Sequence, residues 1–296
     1  MFSEIRVRAY AKINFGLKVL PLREDGFHNL ESIFQTIGLY DELIVTWNEE
    51  KSCVVSCDSM QLPSKNTLTS AYQAFCEAVE VDVPGVRVNL IKGIPSGGGL
   101  GGGSADAAAL VRVLEKLCRV KLSVKQLDYV ASKTGSDVFF FTHALNADGG
   151  KRYSRFEPYA AYVEGRGELV RQIECRNDFS VVLVLPGVSV STKTAYGLVD
   201  REMEKCGFIQ GENPESIYRK KICDWNFVND FTVPVAREYV QVASALEKLK
   251  KSGAVFADMS GSGSTVFGVF DDKSDALKAK KMLEREYVTV LSQPQG

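Results

Sequence analysis

The sequence predicts an α+β protein of two domains, with its functional site in the cleft between them. Three observations predict this class. Alternating apolar runs typical of strands fill the first 57 residues, and a run of glycines at 97–103 opens directly into an amphipathic helix. Strand-like and helix-like segments then alternate toward the C-terminus. The 296 residues suffice for two ordinary domains, and we divide them into 1–156 and 157–296.

The periodicity of apolar residues and the capping residues predict the elements in order. Alternation predicts strands at 4–19, 32–38, 42–48, 52–57, 85–91, 151–156, 159–164, 179–185, 254–257 and 265–270. A period near 3.6 predicts helices at 67–80, 103–119, 123–132, 192–199, 234–252 and 273–285. Asn66 and Ser123 are the expected N-caps of two of them. We expect the apolar residues 138–141 to be buried and the polar, turn-rich segment 200–216 to be an exposed excursion.

Composition and charge narrow the function classes. Lys and Arg number 36 against 37 Asp and Glu, so the net charge of −1 gives no overall field for nucleic acid or an anionic membrane. Seven cysteines without a CxxC pair, and only two histidines, argue against a disulfide framework or a zinc site. The first residues lack the apolar core of a signal peptide, and no apolar run is long enough to span a membrane. We therefore expect a cytoplasmic protein.

The glycine-rich stretch at 94–110 is central to the functional prediction. It holds six glycines in seven positions, between a strand-like run and a strong helix. Glycines let backbone amides approach a ligand closely, and a helix N-terminus carries about half a positive charge. Together they predict an anion site, most often for phosphate. The alternative is a flexible linker, but a linker would not run into a helix with one apolar and one charged face.

Two known phosphate motifs fit this stretch only in part. The pattern GxGxxG matches Gly97, Gly99 and Gly102, but five residues separate it from the strand and helices follow it. The Walker spacing matches Gly98 and Gly103, but no lysine follows. The stretch is therefore a phosphate loop of another kind.

Several polar residues could serve phosphate transfer, which needs a metal ion, a cation and a group that orients the acceptor. Ser104 is the first hydroxyl after the glycines and could contact phosphate or Mg²⁺, cap the helix, or both. Asp137 precedes three phenylalanines, so its burial would need a partner, and Lys12, on one strand face with Asn14, is the candidate. Solvated positions are the alternative for both charges. His28 follows an aromatic residue in a turn and is either a ligand-binding or a structural histidine.

Five motifs in this order resemble the GHMP kinase superfamily, small-molecule kinases whose glycine-rich phosphate loop is not a P-loop. They are Ala11-Lys12-Ile13-Asn14 with 23–28, the stretch 94–110, Gly135-Ser136-Asp137-Val138, residues 186–192 with Tyr196, and residues 259–263. The resemblance covers nearly the whole chain. It implies an N-terminal domain like that of ribosomal protein S5, a C-terminal ferredoxin-like domain and an active site in the cleft between them.

The resemblance also implies an ATP- and Mg²⁺-dependent kinase. Its acceptor would be the 2-hydroxyl of a cytidine-diphosphate-linked methylerythritol of non-mevalonate isoprenoid biosynthesis. Asp137 would take the proton from that hydroxyl, while Lys12 orients it and offsets charge on the γ-phosphate. The residues implied at ATP are Asn66, Lys92, Gly97, Gly98, Gly99, Leu100, Gly101, Gly102, Gly103 and Ser104, with Ser104 also at the metal. Those implied at the acceptor substrate are Asn14, Phe27, His28, Thr192, Tyr196, Gly261, Ser262 and Gly263.

Aromatic residues are expected to recognise the base of this substrate. Phe27 and Tyr196 would sandwich the cytosine ring, and His28 would read its edge. The chain departs from the superfamily pattern where Tyr10 replaces a proline, Phe27 a tyrosine and Phe139 a proline. Phe27 keeps a ring for stacking but lacks the hydroxyl, and none of the changes removes a group that the chemistry needs.

Two alternatives stay open. The first is another kinase of the superfamily, acting on homoserine or a mevalonate derivative, whose substrate has no base for an aromatic clamp. The second is a nucleotide-binding protein without catalytic activity, which would not need both Lys12 and Asp137.

Overall fold

A computed structural model describes residues 4–147, 158–208 and 211–294 of the chain. Its first sheet has six strands in the order β3-β4-β2-β5-β6, with β1 also paired to β2. The strands are β1 Ile5–Leu22, β2 His28–Asn48, β3 Cys53–Ser56, β4 Gly85–Ile91, β5 Ala160–Gly165 and β6 Leu169–Ile173. All pairs are antiparallel except β3 with β4, and β2 is the hub because it pairs with three neighbours.

The central strand β2 is longer than its sequence pattern indicates. The runs predicted separately at 32–38 and 42–48 form one strand, which pairs with β5 near its start and with β4 near its end. The alternation of apolar residues breaks near Gly38, where residues 37–39 have no partner in β1, but pairing resumes at Tyr40 and the strand stays extended. This register shift, opposite Tyr10 and Lys12, leaves the extra residues on β2 and marks a bulge, a feature that re-aims nearby side chains.

In the described part of the chain, four helices pack beside the first sheet, and the helix after the glycines lies at their centre. They are α1 Thr67–Ala78, α2 Gly102–Cys118, α3 Val124–Thr134 and α4 Ser136–Ala147. Helix α2 contacts β1, α1 and α4. Asn66 and Ser123 cap α1 and α3 as predicted, each in a capping box. Of the apolar group 138–141, Val138 and two phenylalanines are buried within α4, while Phe139 is partly exposed.

The second sheet is antiparallel, with the order β10-β7-β9-β8. Its strands are β7 Ser180–Leu185, β8 Phe256–Met259, β9 Val266–Phe270 and β10 Val288–Ser292. The helices of this part are α5 Thr192–Cys206, the short α6 Pro214–Tyr218, α7 Thr232–Glu238, α8 Val240–Lys251 and α9 Lys273–Leu283, with a 3₁₀ turn at Ile222–Asp224. Two sheets, each with its own helices, confirm the predicted α+β class.

The structure corrects several predicted elements. Helix α5 continues to Cys206 and α6 begins at Pro214, so 200–216 is not wholly an irregular excursion. The polar residues at 200–206 form the solvent side of α5. The helix predicted at 234–252 is interrupted at Tyr239, whose backbone is extended. The edge strands β6 and β10 were not predicted, because a half-exposed edge strand shows only a weak alternation of apolar and polar residues.

The proposed domain boundary and the strand predicted at 151–156 both lie outside the described residues. The hairpin of β5 and β6 follows that boundary in sequence and yet belongs to the first sheet. The division into 1–156 and 157–296 therefore stays a prediction. In the described ranges, no helix combines the length and apolar character needed to cross a bilayer.

Candidate active site

The glycine loop turns its backbone toward open space. Gly97, Gly99 and Gly101 have φ of 70°, 75° and 73°, a left-handed conformation that favours glycine. A Cβ on Gly99 would lie 2.0 Å from the carbonyl oxygen of Ser260, so only glycine lets the two glycine loops pack together. In the described part of the chain, the amides of 97–103 donate to no protein acceptor. Such free amides at a helix start form a site for an anion.

Gly101, not Ser104, is the N-cap of α2. The capping role considered for Ser104 is therefore wrong, since Ser104 is the third residue of the helix. Its amide donates to the carbonyl of Gly101 at 3.1 Å. Its hydroxyl lies near the turn before α4, because a Cβ on Gly135 would be 4.0 Å from Ser104 Oγ.

Two cavities meet at the glycine loop, and both are lined by Gly97 and Gly99. The larger has a volume of about 940 Å³ and the smaller about 330 Å³. The larger contains the residues predicted to bind the acceptor, namely Asn14, Phe27, His28, Thr192, Tyr196 and 261–263, together with Lys12 and Asp137. The smaller contains those predicted at ATP, namely Asn66, Lys92, 97–103 and Ser104. The two predicted sets thus lie on opposite sides of one loop.

Lys12 and Asp137 meet in the larger cavity. Lys12 Nζ lies 3.3 Å from Asp137 Oδ2, with 3% of the lysine and 32% of the aspartate side chain exposed. The Lys12 amide donates to the Leu100 carbonyl at 3.0 Å, which ties β1 to the glycine loop. Asp137 stands in the first turn of α4, where the helix dipole favours negative charge. A solvated position is therefore wrong for Lys12, whereas the Asp137 carboxylate is partly exposed to the cavity.

Asn14 lies fully buried beside this pair and has a free donor. Its Oδ1 accepts from Lys12 Nζ at 2.6 Å and from Ser260 Oγ at 3.4 Å. Its Nδ2 has no partner among the described residues. Buried polar atoms are nearly always paired, so the amide is available to an acceptor atom of a ligand in the cavity.

The two aromatic residues predicted to bind the base, Phe27 and Tyr196, have different neighbours in the larger cavity. The His28 ring stacks on Tyr196 with centroids 5.4 Å apart and an angle of 18° between the rings. Its Nδ1 donates to the Leu20 carbonyl at 2.7 Å, and its Nε2 lies 3.0 Å from Asp200 Oδ1 but off the direction of a hydrogen bond. Phe27, 48% exposed, has a different neighbour, the guanidinium of Arg166. The parallel ring at Tyr196 is thus His28, and the proposed sandwich of Phe27 and Tyr196 stays a prediction.

Lys92 is held by two acids in the wall of the smaller cavity. Its Nζ contacts Asp41 and lies 3.5 Å from Asp106 Oδ2. Burial acts to lower the pKa of Lys92, but the two carboxylates outweigh it and raise the pKa. Burial, reinforced by Asp41, raises the pKa of Asp106 well above its usual range. The ammonium charge is therefore largely neutralised within the protein.

Asn66 lines the same cavity while serving as a helix cap. Its Oδ1 accepts from the Thr69 amide at 3.1 Å, and its Nδ2 donates to the Pro63 carbonyl at 3.0 Å. Both polar atoms of its side chain therefore have protein partners, and Asn66 lines the cavity without offering a free polar group to a ligand.

Sequence reasoning missed two residues that shape the loops. Asp41 Oδ1 accepts from the amides of Gly93 and Ile94, each at 2.7 Å, and so anchors the entry to the glycine loop. Asn229 Nδ2 donates to the carbonyls of Met259 and Gly261, each at 2.8 Å, and so orients the second glycine loop. Their partners are distant in sequence, so no local pattern could have revealed them.

Comparison with known proteins identifies two family domains and several full-length relatives. The GHMP kinases N terminal domain matches residues 66–144, and the GHMP kinases C terminal domain matches residues 219–289. A Treponema pallidum protein named 4-diphosphocytidyl-2-C-methyl-D-erythritol kinase is 38% identical, with 96% of each chain covered. A Prosthecochloris aestuarii protein of the same name is 36% identical, again with 96% of each chain covered.

A solved structure agrees with these relatives. The crystal structure of a 4-(cytidine 5′-diphospho)-2C-methyl-D-erythritol kinase matches with a TM-score of 0.76 at 28% identity, covering 98% of each chain. The resemblance seen in the sequence motifs is confirmed over nearly the full length. The chain therefore belongs to the GHMP kinases, in the family of the 4-diphosphocytidyl-2-C-methyl-D-erythritol kinases.

Proposed function

We propose that this chain transfers the γ-phosphate of ATP to the 2-hydroxyl of 4-(cytidine 5′-diphospho)-2-C-methyl-D-erythritol. The observation that carries the proposal is the contact of Lys12 Nζ and Asp137 Oδ2 at 3.3 Å, in a cavity that shares the glycine loop with a second cavity. One cavity suits the acceptor and the other suits the nucleotide. The names of the relatives supply the identity of the acceptor.

Asp137 and Lys12 have different roles in the reaction because their charges are opposite. Asp137 accepts the proton of the acceptor hydroxyl as the bond to phosphorus forms, and Lys12 offsets negative charge on the transferring phosphoryl group. Because the transition state of phosphoryl transfer is loose, positioning and electrostatics dominate the catalysis. A general base contributes roughly 10²- to 10⁴-fold. Asn14 keeps Lys12 in place through the 2.6 Å bond to its Oδ1 and offers Nδ2 to the acceptor.

The glycine loop is proposed to hold the phosphates of ATP through the free amides of 97–103 and the N-terminus of α2. The residues present also fit Mg²⁺, which binds through few protein ligands and completes its shell with phosphate oxygens and water. Ser104, which lines the smaller cavity, is the oxygen ligand proposed. In the described residues, no cluster of three His, Cys, Asp or Glu side chains offers another metal site. When bound, the ion would neutralise charge on the β- and γ-phosphates.

The second part of the chain is proposed to recognise the acceptor. Thr192, at the start of α5, and Ser262, in the second glycine loop, lie with their hydroxyl oxygens 3.3 Å apart in the larger cavity. This arrangement supports the assignment of nucleotide binding to 1–156 and part of acceptor binding to 157–296. The cytosine ring would stack on Phe27 and Tyr196, with His28 at its edge. A cytoplasmic location is likewise part of the proposal.

A coupled assay of ADP release tests the function directly. The purified protein is supplied with ATP, Mg²⁺ and one of three acceptors: the cytidylyl methylerythritol, mevalonate or homoserine. We expect turnover with the first only. Turnover with mevalonate or homoserine instead would assign a different acceptor, and ATP binding without any turnover would indicate a nucleotide-binding protein that lacks catalysis.

A further inference from the structure

The acceptor proposed above carries a diphosphate, and the larger cavity must offset its negative charge. This inference rests on the proposed function. Among the residues that the structure describes, three cationic side chains line the cavity, those of Lys12, Arg166 and Lys193, against the carboxylates of Asp137 and Asp200. Lys12 is already committed to Asp137 and to Asn14. Arg166 and Lys193 are therefore the cationic side chains left to bind a diphosphate.

Arg166 stands at the tip of the hairpin formed by β5 and β6, between two glycines with positive φ. Gly165 has φ of 69° and Gly167 of 112°. Gly167 packs against the start of α4, because a Cβ there would lie 3.3 Å from both Cβ and O of Ser136. Ser136 immediately precedes Asp137. The backbone that carries Arg166 is therefore held at a fixed distance from the reacting pair.

The guanidinium of Arg166 lies on the ring of Phe27, with Cζ 3.7 Å from the ring centroid. Within the described ranges, no carboxylate lies close enough to form an ion pair with it. Stacking uses the flat face of a guanidinium and leaves the N–H groups at its rim free for an anion. Phe27 is still 48% exposed, so a base can stack on ring surface that the arginine leaves uncovered.

We propose that Arg166 binds the diphosphate of the cytidylyl acceptor beside the ring on which the base stacks. A planar guanidinium matches two oxygens of a phosphate group, whereas a lysine ammonium acts as a point charge. Lys193 lies in the first turn of α5, and within the described ranges no aromatic ring supports it as Phe27 supports Arg166. Arg166 is thus a specificity-determining residue that separates acceptors bearing a diphosphate from nucleosides without one.

Calorimetric titration with cytidine and with CDP tests the proposal. We expect Arg166→Ala to weaken CDP binding roughly tenfold or more and to change cytidine binding less than about threefold. Arg166→Lys should retain part of the CDP affinity, because the charge remains while the two-point geometry is lost. Arg285→Ala is the matched control, since Arg285 is exposed and lies outside the cavity, and both affinities should stay unchanged. In steady-state kinetics, Arg166→Ala should raise KM for the acceptor and leave KM for ATP unchanged.

The outcomes separate this proposal from the proposed function. Equal losses of cytidine and CDP affinity would mean that Arg166 only supports the Phe27 ring, and an unchanged CDP affinity would mean that it does not touch the diphosphate. Either result overturns the proposal while wild-type turnover of the cytidylyl acceptor upholds the function. If the wild-type protein binds neither cytidine nor CDP and shows no turnover, both proposals fall together.

Discussion

Replacing Asp137 by Asn isolates the proton-accepting role of the carboxylate. Asn keeps the volume of the side chain and an oxygen that can remain near Lys12 Nζ, which lies 3.3 Å away in the wild type. Lys12 also keeps its 2.6 Å bond to Asn14 Oδ1 and its place 4.7 Å from the centroid of the Phe34 ring. The buried ammonium therefore retains partners, and the substitution should disturb the fold little.

The size of the effect follows from the role assigned to the carboxylate. General-base catalysis is worth roughly 10²- to 10⁴-fold, which corresponds to about 3 to 5 kcal/mol in the activation barrier. Asp137→Asn should lower kcat by that factor in the ADP-release assay. The affinity for ATP should change little, because the smaller cavity, on the other side of the glycine loop, is not lined by Asp137.

A control substitution at another aspartate shows whether the loss of kcat is specific to Asp137. Asp128→Asn removes another partly exposed aspartate. Asp128 belongs to α3, lies 3.3 Å from His143 and lines neither cavity. Its kcat should equal that of the wild type. If the Asp137→Asn protein unfolds at the wild-type temperature and keeps kcat within about threefold, the general-base assignment is wrong.

Three further predictions follow from packing and burial. Phe27→Leu keeps an apolar side chain but removes the ring, so KM for the cytidylyl acceptor should rise about tenfold with KM for ATP unchanged; an unchanged acceptor KM would remove Phe27 from the base site. Lys92→Met leaves two buried carboxylates without their cation and should lower the free energy of unfolding by about 3 to 5 kcal/mol in urea titrations. The exposed ion pair of Lys51 with Asp82 is the control, and Lys51→Met should change the free energy of unfolding by less than about 1 kcal/mol. Burial raises the pKa of Asp258 to about 7, above the value of 3.8 for a free carboxyl. Because the folded protein holds this proton more tightly than the unfolded chain, the stabilisation from the protonated Asp258 side chain is complete below about pH 4 and is lost as the pH rises to 7. Asp258→Asn should flatten this decline in the free energy of unfolding, which amounts to at most about 4 kcal/mol. If urea titrations between pH 4 and 7 show the same decline in the variant as in the wild type, the assignment to Asp258 is wrong.

Local elements could be predicted from the sequence because their determinants lie within a few residues of one another. Asn66 and Ser123 cap their helices through partners three residues away. The glycine loop and α2 follow in the same way from consecutive residues. The path of β2 and the edge strands β6 and β10 were missed, since strand pairing depends on neighbours that are distant in the chain.

The sequence by itself determined the family, the phosphate loop and the identities of Lys12 and Asp137, because motif order and residue type are written along the chain. Only the tertiary structure decided that these two side chains meet, since 124 residues separate them and only sheet and helix packing brings them to 3.3 Å. It also decided that Lys92 is neutralised by two buried acids and that Arg166 lies on Phe27. Such contacts depend on burial and on the positions of distant elements, which no short stretch of sequence encodes.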